Sequence, residues 1–241
     1  MDESRRMNAS TSLKRPADER GHTDISWLDS RHTFSFGDYH DPDHHNFRAL
    51  RVINDDTVAP GHGFPPHPHR DMEILSYLVS GELAHRDSLG HTRTVTAGQV
   101  QYMSAGSGVT HSEFNASATE SVHFLQIWIV PRARGLQPDY REWSPPAQAS
   151  GPLTLIASPE GRDASLPIRQ DVEIHLGALK AGESVRHGTR TERGLWFQVI
   201  SGEVSVGDER LVAGDGFALE GVTSAVVTAH ADARFLLFDL A

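Results

Sequence analysis

The sequence predicts an all-β protein with two antiparallel β-sandwich or barrel domains in tandem. Short runs rich in β-branched and aromatic residues recur between Gly and Asp turns, which is the spacing typical of such folds. Helical periodicity is weak along the whole chain. A stretch of the first half also recurs in the second half, which indicates that one domain occurs twice.

The composition is that of a globular protein with an acidic surface. The chain has 241 residues, with 32 Asp plus Glu against 22 Lys plus Arg and a formal charge of −10, which disfavours nucleic acid or anionic membrane as the main partner. The sequence has no Cys, so disulfides, thiolate ligands and cysteine nucleophiles are excluded. We find no run of signal-peptide or membrane-spanning type and expect a cytoplasmic protein.

The domain boundaries follow from composition. Residues 1–13 are polar and rich in Ser, Arg and Asn, and are predicted to be a disordered extension. Residues 132–151 contain several prolines and are predicted to be a linker between a first domain at 14–131 and a second at 152–241. The clearest predicted strands are residues 74–79, 92–96, 122–130, 195–200, 224–228 and 235–240.

The internal repeat has a recognisable turn pattern. Residues 77–83 (YLVSGEL) followed by 97–99 (AGQ) recur as residues 198–204 (QVISGEV) followed by 213–215 (AGD). Each Ser-Gly-Glu is predicted to be a tight hairpin between two strands, and each Ala-Gly a turn that enters the next strand.

Two pairs of ligand-type residues in the first domain predict a metal site. His67 and His69 are two residues apart, as are His111 and Glu113. Residues at this spacing lie on one face of a strand, so two neighbouring strands would bring three imidazoles and one carboxylate onto one cation. Such a set suits iron, manganese, nickel, cobalt, copper or zinc. The spacing also allows Glu73, which has the same parity as His67 and His69, as the acidic ligand.

The second copy lacks this set. The four candidate ligands lie at fixed distances from the repeated turns of the first domain. The same distances counted from the turns of the second domain lead to residues that do not bind metals, so the second domain is predicted to be structural. These positions are Gly188, Arg190, Val227 and Ala229.

Several segments resemble those of the cupin superfamily and, more narrowly, of the pirin family. Gly61 and Glu73 around the His pair, and Gly98 and Gly106 before His111, resemble the two cupin motifs. The closer similarity to bacterial pirins with quercetin dioxygenase activity is carried by residues 33–37 (TFSFG), 51–56 (RVINDD), 67–77 (HPHRDMEILSY) and 103–113 (MSAGSGVTHSE). The resemblance runs from about residue 14 to the C-terminus and implies a bicupin with a metal only in the N-terminal barrel.

The resemblance also implies residue roles and a reaction. The metal ligands would be His67, His69, His111 and Glu113, with Glu73 outside the ligand set and able to orient an imidazole. Fe(II) is the first expectation among the divalent transition metals. A flavonol such as quercetin would bind through its 3-hydroxyl, Glu113 would take or share the proton, and O2 would cleave the central ring with release of CO. Four large side chains are candidates to line a cavity for a flat aromatic ligand, although such residues inside a barrel usually form its core: Phe47, Phe64, Met103 and Trp128.

Two other readings of the same resemblance stay open. One is a non-enzymatic regulator that binds a protein partner according to the oxidation state of its metal. The other is a different metal-dependent enzyme acting on a small molecule, because cupin barrels host many chemistries. In each case we expect a monomer.

Overall fold

The computed structural model describes residues 10–147 and 151–241, and it confirms the all-β prediction. The only helical segments in this part of the chain are two short 3-10 turns, Ala17–Glu19 and Arg162–Ala164. In chain order the strands are β1 (Thr11–Arg15), β2 (Gly21–Ile25), β3 (Leu28–His32), β4 (Leu50–Val58), β5 (Gly63–His69), β6 (Glu73–Ser80), β7 (Glu82–Asp87), β8 (Thr92–Thr96), β9 (Val100–Ser104), β10 (Val109–Asn115), β11 (Val122–Ile129), β12 (Asp139–Trp143), β13 (Leu153–Ser158), β14 (Leu166–Pro167), β15 (Val172–Leu179), β16 (Ser184–Gly188), β17 (Gly194–Ser201), β18 (Glu203–Val206), β19 (Glu209–Val212), β20 (Gly216–Glu220), β21 (Ser224–Ala229) and β22 (Ala233–Leu240). No helix among these residues is long and apolar enough to cross a membrane.

Each half of the chain forms a seven-stranded and a four-stranded sheet. The first half has the orders β12-β9-β6-β11-β4-β3-β2 and β5-β10-β7-β8. The second half has β16-β21-β18-β19 and β20-β17-β22-β15-β13-β14, and β1 from the N-terminal part of the chain adds the seventh strand beside β20. The central orders β9-β6-β11-β4 and β20-β17-β22-β15 correspond strand for strand, as do the two four-stranded sheets, so the repeat seen in the sequence is a repeat of the fold.

The repeated Ser-Gly-Glu turns are not the hairpins that the sequence predicted. Strand β6 ends at Ser80 and β7 begins at Glu82, but the two strands belong to different sheets. Gly81, at φ 79°, turns the chain from one sheet to the other, and a Cβ there would lie 2.9 Å from the Ser121 carbonyl oxygen. Gly202 does the same in the second domain at φ 78°.

The chain ends of the first domain differ from the predicted boundaries. The predicted extension 1–13 falls mainly on residues 1–9, which lie outside the described residues, but Thr11–Arg15 forms β1 and pairs with β20 of the second domain. The predicted linker 132–151 contains β12, which pairs with β9 at the edge of the first domain; its residues 148–150 also lie outside the described part. Strands β1 and β12 each form backbone hydrogen bonds with the edge of a sheet. Such long-range pairing cannot be predicted from local composition.

A single hydrophobic cluster joins the two domains. Tyr77 and Tyr102 from the first domain share it with Trp196, Leu236 and Phe238 from the second, and all five are at most 1 % exposed. The side chains of both seven-stranded sheets therefore meet in one buried layer.

Candidate metal centre

Strands β5 and β10 present the predicted ligand residues to the interior of the first domain. The two strands are antiparallel neighbours, and His111 lies directly opposite His67. A register shift between His111 and Glu113 marks a bulge in the pairing. Alternate residues of β10 are buried, so His111 and Glu113 face inward, as the spacing predicted.

The three imidazoles converge. One nitrogen from each of His67, His69 and His111 lies within 4.8 Å of the other two. Ring centroids are 4.5 Å apart for His67 and His111, 4.7 Å for His67 and His69, and 4.8 Å for His69 and His111. These separations suit nitrogens that share one cation, whose bonds to imidazole are about 2.0–2.1 Å long for zinc.

The hydrogen bonding of these rings leaves nitrogens free for a cation. His67 Nδ1 donates to the Pro65 carbonyl oxygen at 2.8 Å, which leaves its Nε2 as the acceptor atom. His69 Nε2 and both nitrogens of His111 are buried without a protein hydrogen-bond partner. Buried polar atoms without partners are rare in folded proteins because they cost free energy, and a bound metal ion would satisfy His69 Nε2 and one nitrogen of His111.

The environment keeps these imidazoles in the form that binds metals. Burial, reinforced by the neighbouring imidazoles, lowers the pKa of His69 to about 4 and that of His111 to about 3. Both rings are therefore neutral near pH 7, and a neutral imidazole nitrogen has a lone pair to give to a metal.

Glu113 lies beside this cluster and is held by three hydrogen bonds. Its Oε1 accepts from Ser76 Oγ and from Gln101 Nε2, and its Oε2 accepts from Gln126 Nε2, each at 3.0 Å. A carboxylate accepts about four hydrogen bonds, so one lone pair, on Oε2, is left for a cation or a proton.

Sequence reasoning missed the three residues that hold Glu113. Ser76, Gln101 and Gln126 come from β6, β9 and β11 of the seven-stranded sheet, and all are at most 7 % exposed. The sequence does contain a signal for two of them, a Gln inside each of two mainly apolar strands. Because buried amides in native proteins are hydrogen-bonded, each Gln indicates a polar partner inside the domain.

A second, overlapping group of ligand-type residues comprises His85, His111 and Glu113. Both nitrogens of His85 already have partners: Nε2 lies 3.0 Å from Asp87 Oδ2 and Nδ1 lies 3.1 Å from Gln101 Nε2. The hydrogen bonding therefore favours the set of His67, His69 and His111 as the metal ligands.

Glu73 lies away from the imidazoles, contrary to the expectation that it orients one of them. Its carboxylate accepts hydrogen bonds from the Tyr102 hydroxyl, from Ser104 Oγ at 2.7 Å and from the Arg169 backbone N–H of the second domain at 3.2 Å. Residues 70–72, with Asp71 at φ 52°, carry the chain from β5 to β6 in the other sheet, so strand parity does not extend from His69 to Glu73. Glu73 instead joins the two domains.

A cavity of about 250 Å³ opens beside the cluster. Of the four large residues that were candidates to line it, Phe64 and Trp128 do so, whereas Phe47 packs against the core between the domains and Met103 is buried beside Ile74. The cavity is lined by Thr23, Leu28, Ser30, His32, Phe36, Gly37, Asp38, Asn54, Asp56, Phe64, His67, Glu113, Gln126 and Trp128.

The second domain has no comparable donor set among the described residues. Strand β21 corresponds to β10, and its buried positions carry Ala225, Val227 and Ala229. His187, one residue before the position that the sequence offsets reach, lies opposite Ala225, but its Nε2 is 2.8 Å from Asp239 Oδ2.

A larger cleft of about 660 Å³ in the second domain is lined by charged side chains and no His. Arg193 contacts Asp239 and, at 2.8 Å, Asp171, while Arg162 lies 2.7 Å from Glu173. Because these charges pair with one another, the cleft offers no free set of metal ligands.

Two family models match this chain, one in each half. The Pirin family model matches residues 13–129, and the model described as the quercetinase C-terminal cupin domain matches residues 155–240. A quercetin 2,3-dioxygenase of Escherichia coli (strain K12) is 45% identical over 226 residues, which are 94% of this chain and 97% of that protein. The chain belongs to the pirin family. The bicupin architecture expected from the resemblance is thereby confirmed.

Solved structures of a bacterial pirin have the same fold. The crystal structure of YhhW from E. coli superposes with a TM-score of 0.93 at 44% identity, covering 96% of this chain and 98% of that one. The structure of YhhW in complex with nickel(II) gives a TM-score of 0.91 at 44% identity, covering 95% and 99%. A pirin relative thus binds a divalent transition metal, and this chain has a His and Glu cluster suited to one.

Proposed function

We propose that this pirin is a metal-dependent dioxygenase that cleaves the central ring of a flavonol such as quercetin with O2 and releases CO. The observation that carries the proposal is the convergence of three imidazoles, each with a nitrogen free for a cation, beside a hydrogen-bonded carboxylate that lines a cavity. The names of its relatives support the substrate class.

The residues present fit one divalent metal ion. His67 Nε2, His69 Nε2, one nitrogen of His111 and Glu113 would hold it, and three nitrogens with one oxygen suit the first-row transition metals. Fe(II) is our expectation for the native metal, with nickel supported by the relative's complex. When bound, the ion would lower the pKa of a coordinated hydroxyl and offer a position for O2.

Glu113 is the proposed proton acceptor for the substrate hydroxyl. Its Oε1 already accepts two hydrogen bonds, whereas Oε2 accepts only that of Gln126. Oε2, the oxygen with the unused lone pair, would therefore take the proton of a 3-hydroxyl in place of its bond to the ion. The three hydrogen bonds fix the carboxylate before the substrate arrives, which lowers the entropic cost of the step.

The cavity walls suit a flat aromatic molecule. Phe36 and Trp128 stand edge to face with centroids 5.3 Å apart, and Trp128 has the same relation to His69 at 4.9 Å. Phe64 lines the cavity as well. Such walls contact an aromatic ring on its face or edge and keep bulk water from the reacting hydroxyl.

The test combines metal analysis with oxygen uptake on the purified protein. We expect about one divalent ion per chain and quercetin-dependent O2 consumption with CO as a product, and we expect His111→Ala to lose both the ion and the activity. His230→Ala is the matched control, because His230 is exposed in the second domain, and it should keep both. Full quercetin turnover by metal-depleted and repleted His111→Ala would refute the proposal.

A further inference from the structure

Asp56 is a buried acid that the metal centre does not use. It lies on β4 within the RVINDD segment, is 3 % exposed, and lines the same cavity as His67 and Glu113. Ser30 lies directly opposite on β3, but Asp56 Oδ1 is buried with no protein partner. A buried acceptor that the protein leaves unpaired points to a group supplied from outside.

The other buried polar side chains of the cavity wall have partners within the protein. His32 Nδ1 lies 2.8 Å from Asn54 Oδ1, and His32 Nε2 lies 2.9 Å from Thr23 Oγ1. Gln126 donates to Glu113 and accepts from Trp128 Nε1 at 3.2 Å. Among the described residues that line the cavity, only Asp56 has a buried side-chain oxygen without a protein partner.

Asp56 lies at some distance from the metal-binding end. Asn54 on β4 is directly opposite Gln126 on β11, and Asp56 is two residues further along β4 on the same face. Strand spacing and rise place the backbones of Asp56 and Gln126 roughly 8 Å apart. A molecule whose reacting oxygen is at Glu113 would therefore reach Asp56 with a different ring or substituent.

We propose that Asp56 is a specificity-determining residue that hydrogen-bonds a hydroxyl group of the substrate remote from the metal-bound oxygen. The proposal rests on the proposed dioxygenase function and adds a substrate class: planar aromatic molecules with a second hydroxyl group on another ring position. A substrate without that hydroxyl would leave the buried oxygen unpaired and would be discriminated against.

The ionisation of Asp56 is compatible with either direction of this hydrogen bond. Burial raises the pKa of its carboxyl group to about 7, with a further contribution from the charges of Asp55 and Glu113. A phenolic hydroxyl both donates and accepts, so it pairs with the ionised or the neutral carboxyl group.

The experiment measures how substrate hydroxyls and Asp56 depend on each other. The metal-loaded protein is assayed with quercetin and with flavonols that each lack one hydroxyl other than the 3-hydroxyl, and kcat and KM are determined separately. For wild type we expect one analogue to lose about 10- to 100-fold in kcat/KM, mainly through KM, because a buried acceptor then lacks its partner. Anaerobic binding of the same compounds, followed by quenching of tryptophan fluorescence, provides a readout independent of turnover.

Variants of Asp56 then identify the partner. Asp56→Ala should reduce the preference for the hydroxylated substrate to near unity, and Asp56→Asn, which keeps a donor and an acceptor, should retain most of it. Asp56→Leu removes hydrogen bonding at similar volume and serves if the Ala variant does not fold. Asp55→Asn on the opposite face of β4 is the matched control and should keep the wild-type preference.

The outcomes separate the two proposals. If wild type turns over quercetin but folded, metal-loaded Asp56 variants keep the full hydroxyl preference, the role of Asp56 is refuted and the dioxygenase function stands. If wild type neither binds nor turns over any flavonol, both proposals fail. A purely structural Asp56 would lower the melting temperature without changing the ratio between substrates.

Discussion

Burial of Asp56 predicts a pH-dependent cost to the stability of the metal-free protein. The pKa of this carboxyl group rises from 3.8 to about 7 in the fold, chiefly because burial disfavours the charged form. Between about pH 4 and pH 7 the folded protein holds this proton while the unfolded chain has released it, so stability falls as the pH rises through that window. At about 1.36 kcal/mol per pKa unit, the full cost above pH 7 is about 4 kcal/mol.

The perturbation is Asp56→Asn, which cannot ionise. We expect the free energy of unfolding of Asp56→Asn, relative to wild type, to increase by up to about 4 kcal/mol between about pH 4 and pH 8. Urea denaturation of chelator-treated protein at several pH values measures this difference. The residues of the metal centre are the same in both proteins, so their contribution to the pH dependence cancels from the comparison.

Asp55→Asn should show the opposite pH dependence. Although burial acts to raise the pKa of Asp55, its contacts with His123 and Arg20 outweigh that effect and lower it. The ionised Asp55 therefore stabilises the fold above about pH 4, and its replacement should cost more stability as the pH rises. A difference between Asp56→Asn and wild type that stays constant across the pH range would refute the assignment of a buried, weakly acidic Asp56.

Three further predictions concern the support of the site and the fold. Gln101→Leu should weaken metal binding by about 10- to 100-fold in a chelator competition assay, because it removes a donor that fixes the carboxylate of Glu113, the proposed acidic ligand. An unchanged metal affinity would contradict this role. Glu73→Ala should cost about 2–5 kcal/mol of stability in chemical denaturation, because it leaves buried donors unpaired at the domain interface, and the metal stoichiometry should not change. Loss of the metal ion in this variant would show that Glu73 belongs to the metal centre. Gly177→Ala should cost about 1–3 kcal/mol, because a Cβ there would lie 2.2 Å from the Phe235 ring, and an unaltered melting temperature would show that the ring moves without penalty.

The strand faces on which the candidate ligands lie were predictable because they depend on one local rule. Alternation along a strand places His67 with His69, and His111 with Glu113, whatever the rest of the fold does. The only long-range information needed was that β5 and β10 are neighbours, and the family resemblance supplied it. The same rule failed for Glu73 because residues 70–72 end the strand and carry the chain to another sheet.

The supporting residues depend on tertiary structure and were not predictable in this way. Ser76, Gln101 and Gln126 reach Glu113 from three strands of the opposite sheet, and no sequence spacing relates them. The prediction that the Ser-Gly-Glu turns form hairpins was wrong for a similar reason. A Gly at positive φ fits both a hairpin and a crossing between sheets, and only the pairing of the flanking strands distinguishes the two.

The duplicated domain shows that the fold alone does not create the centre. Strand pairing places Phe197 and Leu237 of the second domain where the first has Ser76 and Gln126, and these apolar residues pack with Val227 in a hydrophobic cluster. The second domain therefore lacks these two hydrogen-bond donors as well as the proposed ligands. This pattern is expected if the donors serve the ligand carboxylate, because an amide or hydroxyl left buried without it would destabilise the domain.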